Sequence, residues 1–186
     1  FFNDIDDWKS TAINVHNQPL KSFYKYFNED MKGTYLEAST RYLYQKYSAS
    51  MIKNQIGNIK SIICVRDPID RVISNYGYFK NNKDIINKDL SLDEYVIKML
   101  SGSRITGINQ IDNALEEGIY INYLNKWAET FGKENIYIVA LEEIDRDAKG
   151  VVIDILNWLE IDSNLAEEIS FKSKNATYDT RFYIVH

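Results

Sequence analysis

The chain is poor in the residue types that build cross-links and metal centres. Its single cysteine, Cys64, excludes a disulfide within the chain and any cysteine-based metal cluster. The only two histidines, His16 and His186, stand far apart and in no ligand spacing, so no metal is expected. Glycines number 8 and prolines 2, and nowhere does a Gly-rich loop precede Lys and Ser or Thr, so no Walker-type phosphate loop is present in these 186 residues. No apolar run approaches the roughly 18 residues of a membrane span, and no signal-like segment opens the chain. Basic residues are in the minority, 22 against 27 acidic, which leaves a net charge of −5 and argues against a broad surface for nucleic acid or anionic membrane. Any anion site must therefore be local. The expectation from these absences is a reducing, cytoplasmic compartment.

What is present suits one globular domain over residues 1–186: 45% of residues are hydrophobic, 26% are charged, and no repeat or low-complexity linker divides them. The most informative stretch is Lys60 to Tyr76, KSIICVRDPIDRVISNY. Ser61 to Val65 is a short apolar run rich in β-branched residues, which reads as a strand buried on both faces of a parallel sheet, with Cys64 as a small buried hydrophobe within it. Asp67 then stands where a helix N-cap belongs and Pro68 where the first helical residue belongs, and Ile69, Val72, Ile73 and Tyr76 recur at helical spacing. In open α/β sheets, ligands bind beyond the carboxyl ends of strands, where helix N-termini favour anions. Arg66 stands at that mouth with a planar fork of donors, and Ser74 lies off the apolar stripe. The residues by themselves also allow Arg66 to be a surface ion-pair partner.

Other segments follow the same alternation. Leu20, Phe23, Tyr24 and Phe27 form an i, i+3, i+4, i+7 stripe, Ser91 to Glu94 reads as a capping box, and residues 81 to 113 read as a solvated helix and loop. Gly118 to Phe131 carries Ile119, Tyr123, Trp127 and Phe131 at four-residue steps, Ile136 to Leu141 is a buried strand, and Val151 to Leu159 is helical. The predicted fold class is α/β, a mostly parallel sheet flanked by helices on both faces, with Ser61–Val65 and 136–141 as interior strands.

VRDPIDRVISNY resembles the R-[DN]-P-x-x-R-x-x-S-x-Y segment of sulfotransferases that use 3′-phosphoadenosine 5′-phosphosulfate (PAPS), which have a P-loop-like α/β fold. The resemblance implies that Arg66 and Ser74 bind the 3′-phosphate of the nucleotide, and that Arg71 is a structural ion-pair residue near Asp67 or Asp70. Supporting segments follow in the family's order. Thr34 to Leu43 is similar to G-E-x-S-P-x-Y-L, with Glu37, Ser39 and Tyr42 matching, Thr40 in place of Pro, and Ala38 where glycosaminoglycan-acting members carry Lys. In that family this loop borders the reacting groups, which makes Ser39 a candidate substrate-side residue; from the residues alone it is equally an N-cap for a helix from Tyr42 to Met51. Gly118, Tyr120, Leu124, Trp127 and Phe131 match G-x-Y-x-x-x-L-x-x-W-x-x-x-F. Glu142-Glu143-Ile144 resembles Y-E-D-L, and Trp158-Leu159-Glu160-Ile161 resembles F-L-G-[LI], with Glu160 in the place of the glycine.

Phe1 to Trp8 is similar to the K-E-x-H-F-F segment of carbohydrate-acting members. Asn3 takes the place of the Asp that follows, so Asp4 receives no catalytic role. The resemblance implies that the catalytic Lys, its phosphate loop with the preceding strand, and the Glu base all belong upstream of Phe1. It further implies transfer of a sulfuryl group from PAPS, without a metal, to a hydroxyl or amine of a small-molecule or carbohydrate acceptor. Two other classes share the layout: a P-loop nucleotide kinase or NTPase, and a non-catalytic interaction domain of the same fold.

Overall fold

The computed structural model describes Phe2, Asp4, residues 18–25, Phe27 and residues 33–171. In chain order its elements are α1 (Lys21–Tyr24), α2 (Ser48–Gln55), β1 (Ser61–Val65), α3 (Pro68–Gly77), α4 (Leu92–Leu100), α5 (Asn109–Asp112), α6 (Ile121–Phe131), β2 (Ile136–Ala140) and α7 (Leu141–Leu159). β1 and β2 are hydrogen-bonded neighbours in a parallel, two-stranded sheet, so the α/β reading holds. The strands are not interior ones, however: among the described residues each has a single strand neighbour. Nor is β1 buried on both faces. Ser61 and Ile63 are buried, whereas Ile62 and Cys64 are exposed, the period-two pattern of a sheet covered on one side. Cys64 is thus no core hydrophobe. Its thiol is still pushed up from its ordinary pKa, by partial desolvation first and then by the Glu142 and Asp145 carboxylates, which keeps it in the less reactive neutral form.

The chain forms two compact units, one of residues 1–63 and 120–137, the other of residues 64–119 and 138–186. In the first, Phe2 is buried, its ring edge-on to Phe23 at 5.0 Å, and its N–H donates to the Tyr42 hydroxyl at 3.0 Å. Phe23 in turn meets Phe27 at 5.1 Å, so the aromatic stripe is core there, although Tyr24 is exposed and α1 is a single turn. The remainder of the helix expected between residues 9 and 32 lies outside the described residues. Asp4 has a structural part in this unit. Its carboxylate accepts the N–H groups of Lys46 (2.8 Å) and Tyr47 (3.1 Å), and so caps the entry to α2. The helix expected from Tyr42 to Met51 is instead a 3-10 turn at Tyr42–Tyr44 followed by α2. α6 buries Trp127 and Phe131, while Ile119 stays exposed because a 3-10 turn at Glu116–Gly118 takes it off the helical stripe. Gly132 ends α6 at φ 91°, a conformation open to glycine and closed to most side chains.

The second unit has its own core, built of Val72, Phe79, Ile86, Tyr95, Ile111 and Ala114. The capping box at Ser91 is present: Glu94 N–H donates to Ser91 Oγ (3.2 Å) and Ser91 N–H to Glu94 Oε2 (2.9 Å), which holds the Glu94 carboxyl below its ordinary range. Residues 81–113 are more than a solvated helix and loop. Tyr95 of α4 is fully buried, its hydroxyl donating to the Ile111 carbonyl at 2.9 Å, and the Asp112 carboxylate gathers the N–H groups of Ile105, Thr106 and Gly107. α7 kinks at Asp147 and closes with Glu160 in the left-handed region, φ 63°, while Ile161 N–H donates to the Leu156 carbonyl. An L-residue with a Cβ is strained there, and glycine is not. Glu160→Gly should raise unfolding stability by about 0.5–1 kcal/mol, because relief of that strain exceeds the added freedom of the unfolded chain. Denaturant titration showing equal or lower stability would contradict it.

Candidate active site

The best-defined chemical feature of the second unit is the turn between β1 and α3. Asp67 caps the helix as predicted: its Oδ1 accepts from Ile69 N–H at 2.9 Å and Asp70 N–H at 3.1 Å, with Pro68 at the first helical position. Arg66, the residue between strand and cap, is half-buried, and its Nη2 lies 3.8 Å from Asp70 Oδ2. At that distance, with both groups partly in solvent, the pair is loose and contributes little to stability.

Asp70 and Ser74 are four residues apart on α3, hence one above the other on one face, and the Arg66 guanidinium reaches toward the first of them. Arg66, Asp70 and Ser74 therefore lie along one ridge. Ser74 is half-buried, and its hydroxyl has no hydrogen-bond partner among the described residues. The predicted apolar stripe of α3 is only partly covered. Val72 and Tyr76 pack inward, whereas Ile69 and Ile73 are 71% and 46% exposed.

Arg71 is a structural ion-pair residue, but its partner is neither Asp67 nor Asp70. Its Nη2 bonds Glu117 Oε2 at 2.6 Å and its Nη1 the Ala114 carbonyl at 2.9 Å, with the side chains only 14% and 4% exposed. Beside this pair, an added Cβ on Gly118 would come within 3.3 Å of Pro68 Cβ, so the missing side chain lets the segment before α6 close onto the first turn of α3.

One contact was not foreseen. The Asp67 N–H donates to Glu142 Oε1 at 2.9 Å, tying the end of β1 to the start of α7, which directly follows β2. This bond, that of Glu142's own N–H and the nearby Arg66 charge hold the Glu142 carboxyl below its ordinary pKa. The signal that points to Glu142 is topological: it follows β2 as Asp67 follows β1.

Ser39 belongs to the first unit, in the irregular stretch before the 3-10 turn. It is not a helix N-cap, since Arg41 precedes that turn and Tyr47 precedes α2. The Tyr42 hydroxyl, which accepts the Phe2 N–H at 3.0 Å, is influenced by the side chains of both Ser39 and Glu37. Partial desolvation pushes the Glu37 carboxyl up, against the pull of that tyrosine hydroxyl.

Comparison with known proteins bears on this geometry. The mouse (Mus musculus) carbohydrate sulfotransferase 15 is 27% identical over 133 residues, covering 66% of this chain and 24% of that protein. The 3-beta-hydroxysteroid sulfotransferase of Cavia porcellus is 28% identical over 100 residues, covering 54% of this chain and 31% of that one. This chain thus spans less than a third of either relative. A solved sulfotransferase from Alicyclobacillus acidocaldarius has the same fold over 68% of this chain and 49% of its own, with a TM-score of 0.60 and 24% identity. The sulfotransferase domain family model matches residues 6–182, a span that contains both units except for the first five and last four residues. The chain belongs to the sulfotransferase domain family.

Proposed function

We propose that this chain carries the 3′-phosphate site of a PAPS-dependent sulfotransferase acting on a hydroxyl or amine of a small-molecule or carbohydrate acceptor. The observation that carries the reading is the ridge formed by Arg66, Asp70 and Ser74 on the first turns of α3, at the carboxyl end of a parallel strand. The residues fit a phosphate monoester. Arg66 offers a guanidinium whose pairing with Asp70, at 3.8 Å, is loose, and Ser74 offers a half-buried hydroxyl with no hydrogen-bond partner among the described residues. Successive positions on that ridge are about 6 Å apart. Arg66 and Ser74 are two such steps, about 12 Å, apart along the axis, but the Arg66 guanidinium reaches toward Asp70, one step of about 6 Å from Ser74, and that shorter gap is one a phosphate can span. Bound PAPS supplies the sulfuryl group, whose transfer to the acceptor leaves adenosine 3′,5′-bisphosphate. The role of Arg66 and Ser74 is to hold the nucleotide in place, which favours reaction by positioning. Ser39, with Glu37 and Tyr42, is assigned to the acceptor side on the strength of the motif they share.

The test is calorimetric, on the full chain that carries these residues and without magnesium. Adenosine 3′,5′-bisphosphate should bind well ahead of AMP. Arg66→Ala should cost about 2–3 kcal/mol for the bisphosphate, the range for a charge-assisted hydrogen-bonded pair, and much less for AMP. Equal affinity for the two nucleotides, or an Arg66→Ala loss shared equally between them, contradicts the 3′-phosphate assignment.

A further inference from the structure

We propose that Glu142 is a positioning residue of the nucleotide site, which holds the peptide between Arg66 and Asp67 so that the arginine projects along the α3 ridge. The inference rests on the reading of Arg66 as a 3′-phosphate ligand. The peptide is planar, so fixing its N–H fixes the plane on which the Arg66 backbone ends. The Asp67 N–H precedes the helix and has no partner in α3; Glu142 Oε1 accepts it at 2.9 Å across 75 residues of sequence. On the other side of the same residue, the Asp67 carboxylate is committed to Ile69 and Asp70 N–H groups. Backbone and side chain of the turn are therefore held from two directions, one of them belonging to the neighbouring strand's helix.

The chemistry of the choice is informative. A carboxylate close to Arg66 repels an incoming phosphate, so its charge works against anion binding. What Glu142 contributes is an acceptor oxygen at a fixed place. Position and charge separate cleanly in two variants: Glu142→Gln keeps an acceptor oxygen and drops the charge, while Glu142→Ala loses both.

The experiment measures adenosine 3′,5′-bisphosphate and AMP affinities for the wild-type full chain and both variants. Glu142→Ala should weaken the bisphosphate about five- to tenfold, the loss of one hydrogen bond's ordering, and leave AMP within about twofold. Glu142→Gln should bind the bisphosphate at least as tightly as wild type. An Ala variant with wild-type bisphosphate affinity, a Gln variant as weak as Ala, or an equal loss for both nucleotides overturns the positioning role while leaving the nucleotide reading intact. A wild-type protein with no preference for the bisphosphate overturns the nucleotide reading, and the positioning role falls with it.

Discussion

Replacing Glu117 with Ala should destabilise the protein by about 3–5 kcal/mol, the largest single effect expected from a polar side chain here. Arg71 and Glu117 meet at 2.6 Å with little exposure, and Arg71 also donates to the Ala114 carbonyl. Removing the carboxylate leaves a little-exposed guanidinium, charged at any accessible pH, without the Glu117 carboxylate that meets it at 2.6 Å. Desolvation of a charge that has lost its carboxylate, not loss of the attraction itself, sets the magnitude. It follows that Arg71→Met combined with Glu117→Leu should be far less damaging than either charge removed alone, because nothing ionic is then stranded. A double-mutant cycle in denaturant tests this. If the single and double variants lose stability additively, the pair is not acting as a desolvated unit. The consequence for the site is direct: this pair ties α3, which bears Ser74, to the segment before α6. Nucleotide affinity in Glu117→Ala should fall together with stability, for the bisphosphate and AMP alike, which separates it from the selective loss expected of Arg66→Ala.

Phe79→Ala should cost a similar amount, about 3–5 kcal/mol, for an unrelated reason. Phe79 is fully buried among Val72, Ile86, Tyr95, Ile111 and Ala114, in the π-helical turn Tyr78–Asn82 that continues α3. Its carbonyl also takes the N–H groups of Ile85 (2.8 Å) and Ile86 (3.2 Å), so the ring anchors the point at which the chain leaves α3. Truncation to Ala removes the transfer free energy of the ring and leaves a cavity that the surrounding helices fill only partly. Phe79→Leu keeps most of the volume and should cost about 1–1.5 kcal/mol. Chemical denaturation of the two variants distinguishes a packed core from a loosely filled one: near-equal losses would show that the site collapses around whatever remains.

Much of the second unit's local structure was legible without coordinates. The strand, Arg, Asp cap and Pro-led helix of Ser61 to Tyr76, and the capping box at Ser91, are written in residues at most four apart, and each appears where expected. The core side of α6 was readable for the same reason, from Trp127 and Phe131. Periodicity identifies an apolar face, yet it carries no information on whether anything covers that face. Hence Ile69, Ile73, Ile62 and Cys64 were expected inside and are exposed. A run of apolar residues in β1 looked like a strand with two buried sides; its burial alternates because only one side is packed.

The sequence by itself thus determined the secondary elements flanking the site, the cap that sets the direction of α3, and the spacing that sets Arg66 and Ser74 along one helical ridge. These depend on covalent geometry and on bonds within a turn or two, which any chain with the same residues repeats. Only the tertiary structure decided which charges meet: Arg71 with Glu117 across 46 residues, and the Asp67 N–H with Glu142 across 75. Local sequence offered Arg71 nearer acids in Asp67 and Asp70. It bypassed both because Asp67 is occupied as the helix cap, Asp70 lies exposed toward Arg66, and the inward side of α3 on which Arg71 sits meets the segment carrying Glu117.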